Sequence, residues 1–345
     1  SLAIPPGGYR GDVPIGADNP LGLIRRLPLL GEAPLAALRR QCPEATVGFD
    51  PGIYPADAAR VARQVDLAVV FAVKPESEGF DDPDLTLPWG QDAMIEAVAA
   101  ANPNTVVVLE TGNPIAMPWL DSVRAVVEVW YPGQAGAQAI AEVLTGAVNP
   151  SGRLPITFPA SVEQTPRPSL AGWEDTLGTP LEIHYDEGAE IGYRWFAKTA
   201  AKPLFAFGHG LSYTTFGYSD LEVRGGDTVT ATLTVTNTGG REGADVPQVY
   251  LTGAPGEERM RLLGFERVHL APGEARRVTL TADPRLLARY DSAAEQWVIA
   301  EGAYQVAAGR SAVDLPLKAT VQLAGRTFGD RPLRAGAERE VAGGA

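Results

Sequence analysis

The segment Asp66-Leu67-Ala68-Val69-Val70-Phe71-Ala72-Val73 restricts the fold more than any other, because seven apolar residues follow Asp66 without a break. A strand with one wet face alternates apolar and polar side chains. An unbroken run describes instead a strand covered on both faces, as in a parallel sheet layered with helices. The flanking pattern agrees. Ala58, Val61, Ala62 and Val65 fall at helical spacing within 55–65, Met94, Ala97, Val98 and Ala101 within 91–101, and Ala137, Ile140, Ala141 and Leu144 within 134–144. Between these, 46–49, 105–110 and 123–130 read as further strands. Strands joined by helices make a parallel sheet, here a three-layer α/β/α sandwich. An irregular Pro- and Gly-rich lead-in precedes it, with one helix at 34–41. After the turn signal Asn149-Pro150-Ser151-Gly152, a short strand at 154–158 is expected to close this domain, which spans 1–160.

From about Asp227 the period changes to two. Val229, Ala231, Leu233 and Val235 alternate with Thr230, Thr232, Thr234 and Thr236, the pattern of a half-exposed strand. Further strands are expected at 245–251, 266–270, 276–280, 296–300 and 302–308, separated by turns such as Asn237-Thr238-Gly239-Gly240 and Ala271-Pro272-Gly273-Glu274. Such spacing predicts an antiparallel β-sandwich over 221–325, reached through a connector over 161–220 and followed by a charged, small-residue tail over 326–345. The expected fold class is therefore α/β plus all-β. No aromatic row stands out in the sandwich sequence.

The chemistry concentrates just past the apolar strand, in Glu76-Ser77-Glu78-Gly79-Phe80. In open α/β sheets ligands gather at the carboxyl edge, where loops and helix N-termini converge. A carboxyl group shielded there keeps its proton to higher pH and can serve as a general acid. Glu78 has that opportunity, and Glu76 is the weaker candidate. Two other readings stay open at this level. Glu76, Glu78, Asp81, Asp82 and Asp84 also describe a solvated acidic loop, or acids around a Ca²⁺, although no twelve-residue calcium-loop pattern is present. Gly48-Phe49-Asp50-Pro51-Gly52 lacks the glycine-rich turn that a nucleotide site needs.

Charge and rare residues exclude several classes. A net charge of −13 with a pI near 4.8 opposes binding to nucleic acid or to anionic membranes, whereas neutral sugars are indifferent to it. The single Cys42 excludes an intrachain disulfide, and His184, His209 and His269 show no metal-ligand spacing, so neither metal nor cofactor is expected. No run of eighteen apolar residues is present to span a bilayer.

Several pieces, in order, carry a family resemblance: Glu76-Ser77-Glu78-Gly79-Phe80-Asp81 with Leu85-Thr86-Leu87-Pro88, Ala101-Asn102-Pro103-Asn104-Thr105-Val106-Val107-Val108, and Met117-Pro118-Trp119. They continue through Trp130-Tyr131-Pro132-Gly133-Gln134, Asn149-Pro150-Ser151-Gly152-Arg153-Leu154-Pro155, Glu190-Ile191-Gly192-Tyr193-Arg194-Trp195-Phe196 and Phe207-Gly208-His209-Gly210-Leu211-Ser212-Tyr213-Thr214-Thr215-Phe216. Together they resemble the C-terminal part of family 3 glycoside hydrolases, the β-glucosidase and β-xylosidase group. The segment from about Asp227 looks like the fibronectin type III-like domain that ends many members.

The resemblance implies that Glu78 is the general acid/base and that Phe80 contacts the substrate. It implies a retaining exo-acting β-glycosidase, most simply a β-glucosidase, with β-xylosides as the alternative substrates. It also implies that the aspartate nucleophile is not in this chain but on an N-terminal (β/α)₈ barrel, so the chain is expected to be a fragment or one chain of a split enzyme, inactive alone. A non-catalytic carbohydrate-binding or interaction module is the competing class, and a homodimer is left open. The family pattern usually continues Asp-Arg, whereas here Asp81 is followed by Asp82, which removes a nearby positive charge. Trp195, Phe196, Phe205 and Phe207 are expected to pack rather than to stack on sugar, and His209 to be a turn residue.

Overall fold

The parallel pairing of three strands organises the first half of the chain. A computed structural model describes residues 32–76, 82–169, 172 and 182–329. Helices α1 (Pro34–Gln41) and α2 (Pro55–Ala62) precede β1 (Ala68–Val73), followed by α3 (Gln91–Ala101), β2 (Thr105–Glu110), β3 (Ala125–Glu128) and α4 (Gly136–Leu144). The sheet order is β1-β2-β3, all parallel, with Val70 opposite Val107 and Val107 opposite Val126. In the central strand Val107, Val108 and Leu109 are all fully buried. Successive strand residues point to opposite faces, so both faces of the sheet are covered, as the apolar run requires. Helices α2 and α3 pack together with α3 on β1 and β2, while α1 and α4 form a second pair around Ala37, Ala137 and Ala141.

Two expected strands are absent. Residues 46–49 join no sheet, with Phe49 52% exposed and the Val47 carbonyl taken by the Arg39 guanidinium. At 154–158 there is only an isolated bridge between Phe158 and Phe205, and the Leu154 amide donates to the His209 carbonyl at 2.8 Å. Alternation over four or five residues is too short to make a ladder without a partner strand.

Chain contacts separate one unit, residues 1–150 with 156–189 and 201–205, from a second, residues 151–155, 190–200 and 206–345. The second opens with α5 (Tyr193–Thr199), after which every named strand is antiparallel. β4 (Phe216–Arg224), β5 (Thr230–Asn237) and β10 (Ala275–Thr281) form one sheet in the order β10-β5-β4. β7 (Gln248–Ala254), β8 (Glu257–Phe265), β13 (Gly302–Gly309) and β14 (Leu317–Leu323) form the other, in the order β14-β13-β7-β8. Their inner faces share a core that includes Leu233, Val235, Leu251 and Val306. This is the β-sandwich expected from the period-two segment, and its threonines lie outward as cross-strand pairs such as Thr232 with Thr279 at 3.0 Å.

The expected strand at 245–251 is two strands, β6 (Gly243–Asp245) and β7, because Pro247 has no amide to continue the ladder. β6 pairs with β9 (Val268–Leu270). A small sheet of β11 (Arg289–Asp291), β12 (Gln296–Ile299) and β15 (Arg326–Phe328) aligns Tyr290, Trp297 and Phe328 directly across its strands. That row was not visible in sequence, but Trp297 and Phe328 pack on the sandwich core and the Tyr290 ring meets Trp297 edge-on at 5.3 Å.

The motif arginine Arg153 belongs to this second unit. Its guanidinium pairs with Asp245, which is 1% exposed, and donates to the Gly210 carbonyl at 2.5 Å. The Tyr218 hydroxyl donates to the other Asp245 oxygen at 2.6 Å. Gln248, also buried, donates to the Gly208 and Arg310 carbonyls. No described helix is long and apolar enough to cross a membrane.

Candidate active site

β1 and β2 end at the same level, and the residues leaving them build a polar shelf at the carboxyl edge of the sheet. Lys74 follows β1, and its amide extends the ladder by donating to the Glu110 carbonyl at 3.1 Å. Gln91, the first residue of α3 and 2% exposed, accepts from the Val73 amide at 2.9 Å and donates to the Val73 carbonyl at 2.7 Å. Its carboxamide thus acts as a surrogate strand on the open edge of β1. The start of α3 is thereby fixed beside the end of β1.

Glu78 and Phe80 lie outside the described residues, but both flanks of their segment are described. On the leading side, Glu76 lies against the Gly112 and Asn113 backbone amides while its buried Oε1 has no hydrogen-bond partner, and burial followed by the Asp82 charge pushes its carboxyl above the ordinary range. On the trailing side, Lys74 Nζ reaches Asp82 Oδ2 at 2.6 Å and the Asp84 carbonyl at 2.7 Å. Asp84 in turn receives the Thr86 amide and hydroxyl at 2.8 and 2.6 Å. The expectation that Asp82 deprives this loop of a cation therefore needs correcting, because Lys74 supplies one.

Two carboxyls at the same edge, Glu110 buried and Glu128 half-buried, were missed by sequence reasoning. Glu110 ends β2 and Glu128 ends β3, and burial pushes them up to about 7 and about 8 respectively. Thr111 Oγ1 lies 2.8 Å from the Asn113 carbonyl and 3.3 Å from Glu128 Oε2, one proton between two acceptors. A protonated Glu128 resolves the shortage. Glu128 also accepts the Trp130 amide at 2.8 Å, and Trp130 has a left-handed φ of 53°. Strained non-glycine residues of this kind persist where surrounding structure over-determines them, commonly near functional sites. Glutamates ending otherwise apolar strands were the available sequence signal for both.

The other singled-out aromatic residues make packing contacts within their own units. Phe196 is buried, the Phe205 ring meets Phe158 at 6.3 Å, and Phe207 meets Tyr193 at 4.7 Å, all packing contacts. His209 is held below its ordinary range by burial and then by the Arg153 charge. A groove beside Ile53, Pro55, Trp89 and Met94 contains Gln91, whose amide is already committed to Val73 and Pro88. Among the described residues no cluster of His, Cys, Asp or Glu has the arrangement of a metal site.

The shelf offers a covered edge where a carboxyl group keeps its proton near neutral pH. Comparison with known proteins gives it a context. Residues 4–213 match the model of the glycosyl hydrolase family 3 C-terminal domain, and residues 245–312 match that of the fibronectin type III-like domain. The chain is 41% identical over 289 residues to β-glucosidase B of Emericella nidulans, covering 79% of this chain and 34% of that protein. It is 40% identical over 278 residues to the thermostable β-glucosidase B of Acetivibrio thermocellus, covering 77% and 36%. Among solved structures, DesR, a β-glucosidase from Streptomyces venezuelae in complex with D-glucose, superposes with a TM-score of 0.71 at 44% identity, covering 78% of this chain and 35% of that one. The Bifidobacterium adolescentis β-glucosidase superposes with a TM-score of 0.78 at 32% identity, covering 87% and 46%. The chain thus spans about a third of the length of the curated relatives it matches.

Proposed function

The chain belongs to glycoside hydrolase family 3, and we propose that it forms the acid/base half of a retaining exo-acting β-glucosidase. In this reading Glu78 protonates the departing glycosidic oxygen of a terminal β-glucoside and afterwards takes a proton from the water that releases the sugar. Retention requires a second carboxylate about 5–5.5 Å from the first, on the opposite side of the scissile bond. That nucleophile is an aspartate of an N-terminal (β/α)₈ barrel, which is the partner this region serves. Glu76 does not replace it, because it stands only two residues from Glu78 in the chain, whereas nucleophile and acid must flank the scissile bond. Phe80 completes the sugar contact on this side.

The observation that carries the reading is that both flanks of the Glu78 segment stand at the carboxyl edge of the sheet, beside carboxyl groups whose proton affinity burial raises, in a chain of this family. A shielded edge is where an acid keeps its proton at the pH of catalysis. The test uses the enzyme containing both this region and the barrel. Glu78→Ala is expected to lower kcat/KM for alkyl β-glucosides by roughly 10²- to 10⁴-fold and to spare 2,4-dinitrophenyl β-glucoside, whose leaving group needs little protonation. Azide should then rescue turnover of the activated substrate and yield the β-glucosyl azide. Equal losses on both substrates, with no azide product, would remove Glu78 from the role.

A further inference from the structure

In a chain of net charge −13, positive charge gathers at one place in the second unit, where α5 lies on β8. The Leu262 amide of β8 donates to the Tyr193 hydroxyl at 3.0 Å, which fastens the two elements together. The Tyr193 ring is packed by Phe207 at 4.7 Å and by Tyr250 edge-on at 6.0 Å, so its hydroxyl holds a fixed position. Three arginines surround this tyrosine. Arg194 lies over the Tyr193 ring at 5.8 Å, Arg261 immediately precedes Leu262, and Arg259 stands two residues before it on the same strand.

The three guanidiniums are not equally engaged. Arg259 pairs with Glu257 at 2.6 Å and donates to the Leu287 and Ala288 carbonyls at 3.3 and 3.2 Å. Glu257 is shared with Arg289, so its charge is already spent. Arg261 is half-buried, and among the described residues its guanidinium donates no hydrogen bond and forms no ion pair. Glu190 favours the charge of both Arg259 and Arg261 from a distance, but among the described residues it pairs with neither.

Burial, and after it the Arg259 and Arg194 charges, hold the Arg261 guanidinium below the ordinary arginine range. A half-dehydrated cation among like charges is destabilised until an anion joins it. Guanidinium forks match the oxygens of phosphate and carboxylate two at a time. The Tyr193 hydroxyl adds to this supply: it accepts from Leu262, and among the described residues its own proton has no acceptor. Donors from three side chains suit a tetrahedral oxyanion better than a planar carboxylate, which a single guanidinium can satisfy.

We propose that Arg261, Arg194 and the Tyr193 hydroxyl form an oxyanion site on the second unit that takes a phosphate group, with Arg259 adding to the positive field. The full chain, dialysed into phosphate-free buffer, is titrated with inorganic phosphate at constant ionic strength, with sodium chloride making up the balance. Binding is read by calorimetry and by Tm. Phosphate should raise Tm where chloride does not, because it binds only the folded state. Arg261→Met should weaken phosphate binding by roughly tenfold or more. Arg261→Lys, which keeps the charge and loses the fork, should fall between the two.

Without phosphate, Arg261→Met should melt no lower than the parent, since it relieves the crowding of like charges. An arginine serving the fold would give the opposite result. A lowered Tm in the anion-free variant, a phosphate response no larger than that of chloride, or an unchanged phosphate affinity in Arg261→Met would each overturn the site. Methyl phosphate is titrated alongside to separate two sources of the same group. Binding equal to that of inorganic phosphate assigns the site to phosphate carried on a larger molecule, and binding about tenfold weaker assigns it to the free ion.

Discussion

The Gln91 carboxamide closes both backbone hydrogen bonds of Val73, accepting from its amide and donating to its carbonyl. Because β1 is an edge strand, these groups would otherwise be buried without partners. Gln91→Leu keeps the volume and removes both bonds, and should destabilise the α/β unit by about 2–4 kcal/mol. Gln91→Glu should cost at least as much, since a carboxylate cannot donate to the Val73 carbonyl. Urea unfolding followed by far-UV circular dichroism decides this, and a Gln91→Leu protein as stable as the parent would show that water or repacking serves Val73 equally well.

Glu110 and Glu128 make the α/β unit sensitive to alkali. Their folded values, about 7 and about 8, lie above the ordinary value of 4.5, so the folded state holds protons that the unfolded chain has released. Stability is complete below pH ~4.5 and declines as pH rises through ~7 to ~8. A tenfold difference in proton affinity between the folded and unfolded states is worth about 1.4 kcal/mol. Glu128→Gln should match the parent near pH 4.5 and exceed it by more than about 1 kcal/mol at pH 9. Parallel stability curves across that range would contradict the assignment.

Arg153 and Asp245 form a buried ion pair in the second unit, with Tyr218 as third member. Arg153→Met strands an almost inaccessible carboxylate and should cost about 3–5 kcal/mol, whereas Tyr218→Phe should cost about 1–2 kcal/mol. A double-mutant cycle should show coupling between them, because both address Asp245. Additive losses would mean that the two contacts are independent.

Trp89 has a left-handed φ of 61° and is 65% exposed, so it bears backbone strain with little burial in return. Trp89→Gly should raise stability by roughly 0.5–1 kcal/mol, the relief of strain less the added chain entropy. Differential scanning calorimetry is sensitive enough to detect a Tm change of that size, and a lowered Tm would show that the exposed indole makes a contact worth more than the strain.

The elements that the sequence revealed most clearly are those whose pattern is local. α1, α3 and β2 occupy the residues expected, because their apolar spacing spans the whole element. β8 escaped notice: Glu257, Glu258, Arg259 and Arg261 mask any alternation, and the strand is made by its antiparallel partner β7, with irregular register at two points. The candidate site divides the same way. A carboxylate-bearing loop after an apolar strand can be read in the chain, but Lys74 and Gly112 cannot, since they matter only through contacts with residues distant in sequence. Asp82 misled for that reason: its partner is eight positions upstream and on the other side of the loop.

Burial is the leading cause of the raised proton affinity at Glu76, Glu110 and Glu128, ahead of any neighbouring charge. Dehydration and Coulomb attraction answer to different handles. Added salt screens charges but does not rewet a covered edge, so the protonation of this shelf responds chiefly to coverage and only secondarily to ionic strength. Whatever seals the carboxyl edge sets its acidity, and opening it to solvent turns the same glutamates into ordinary anions.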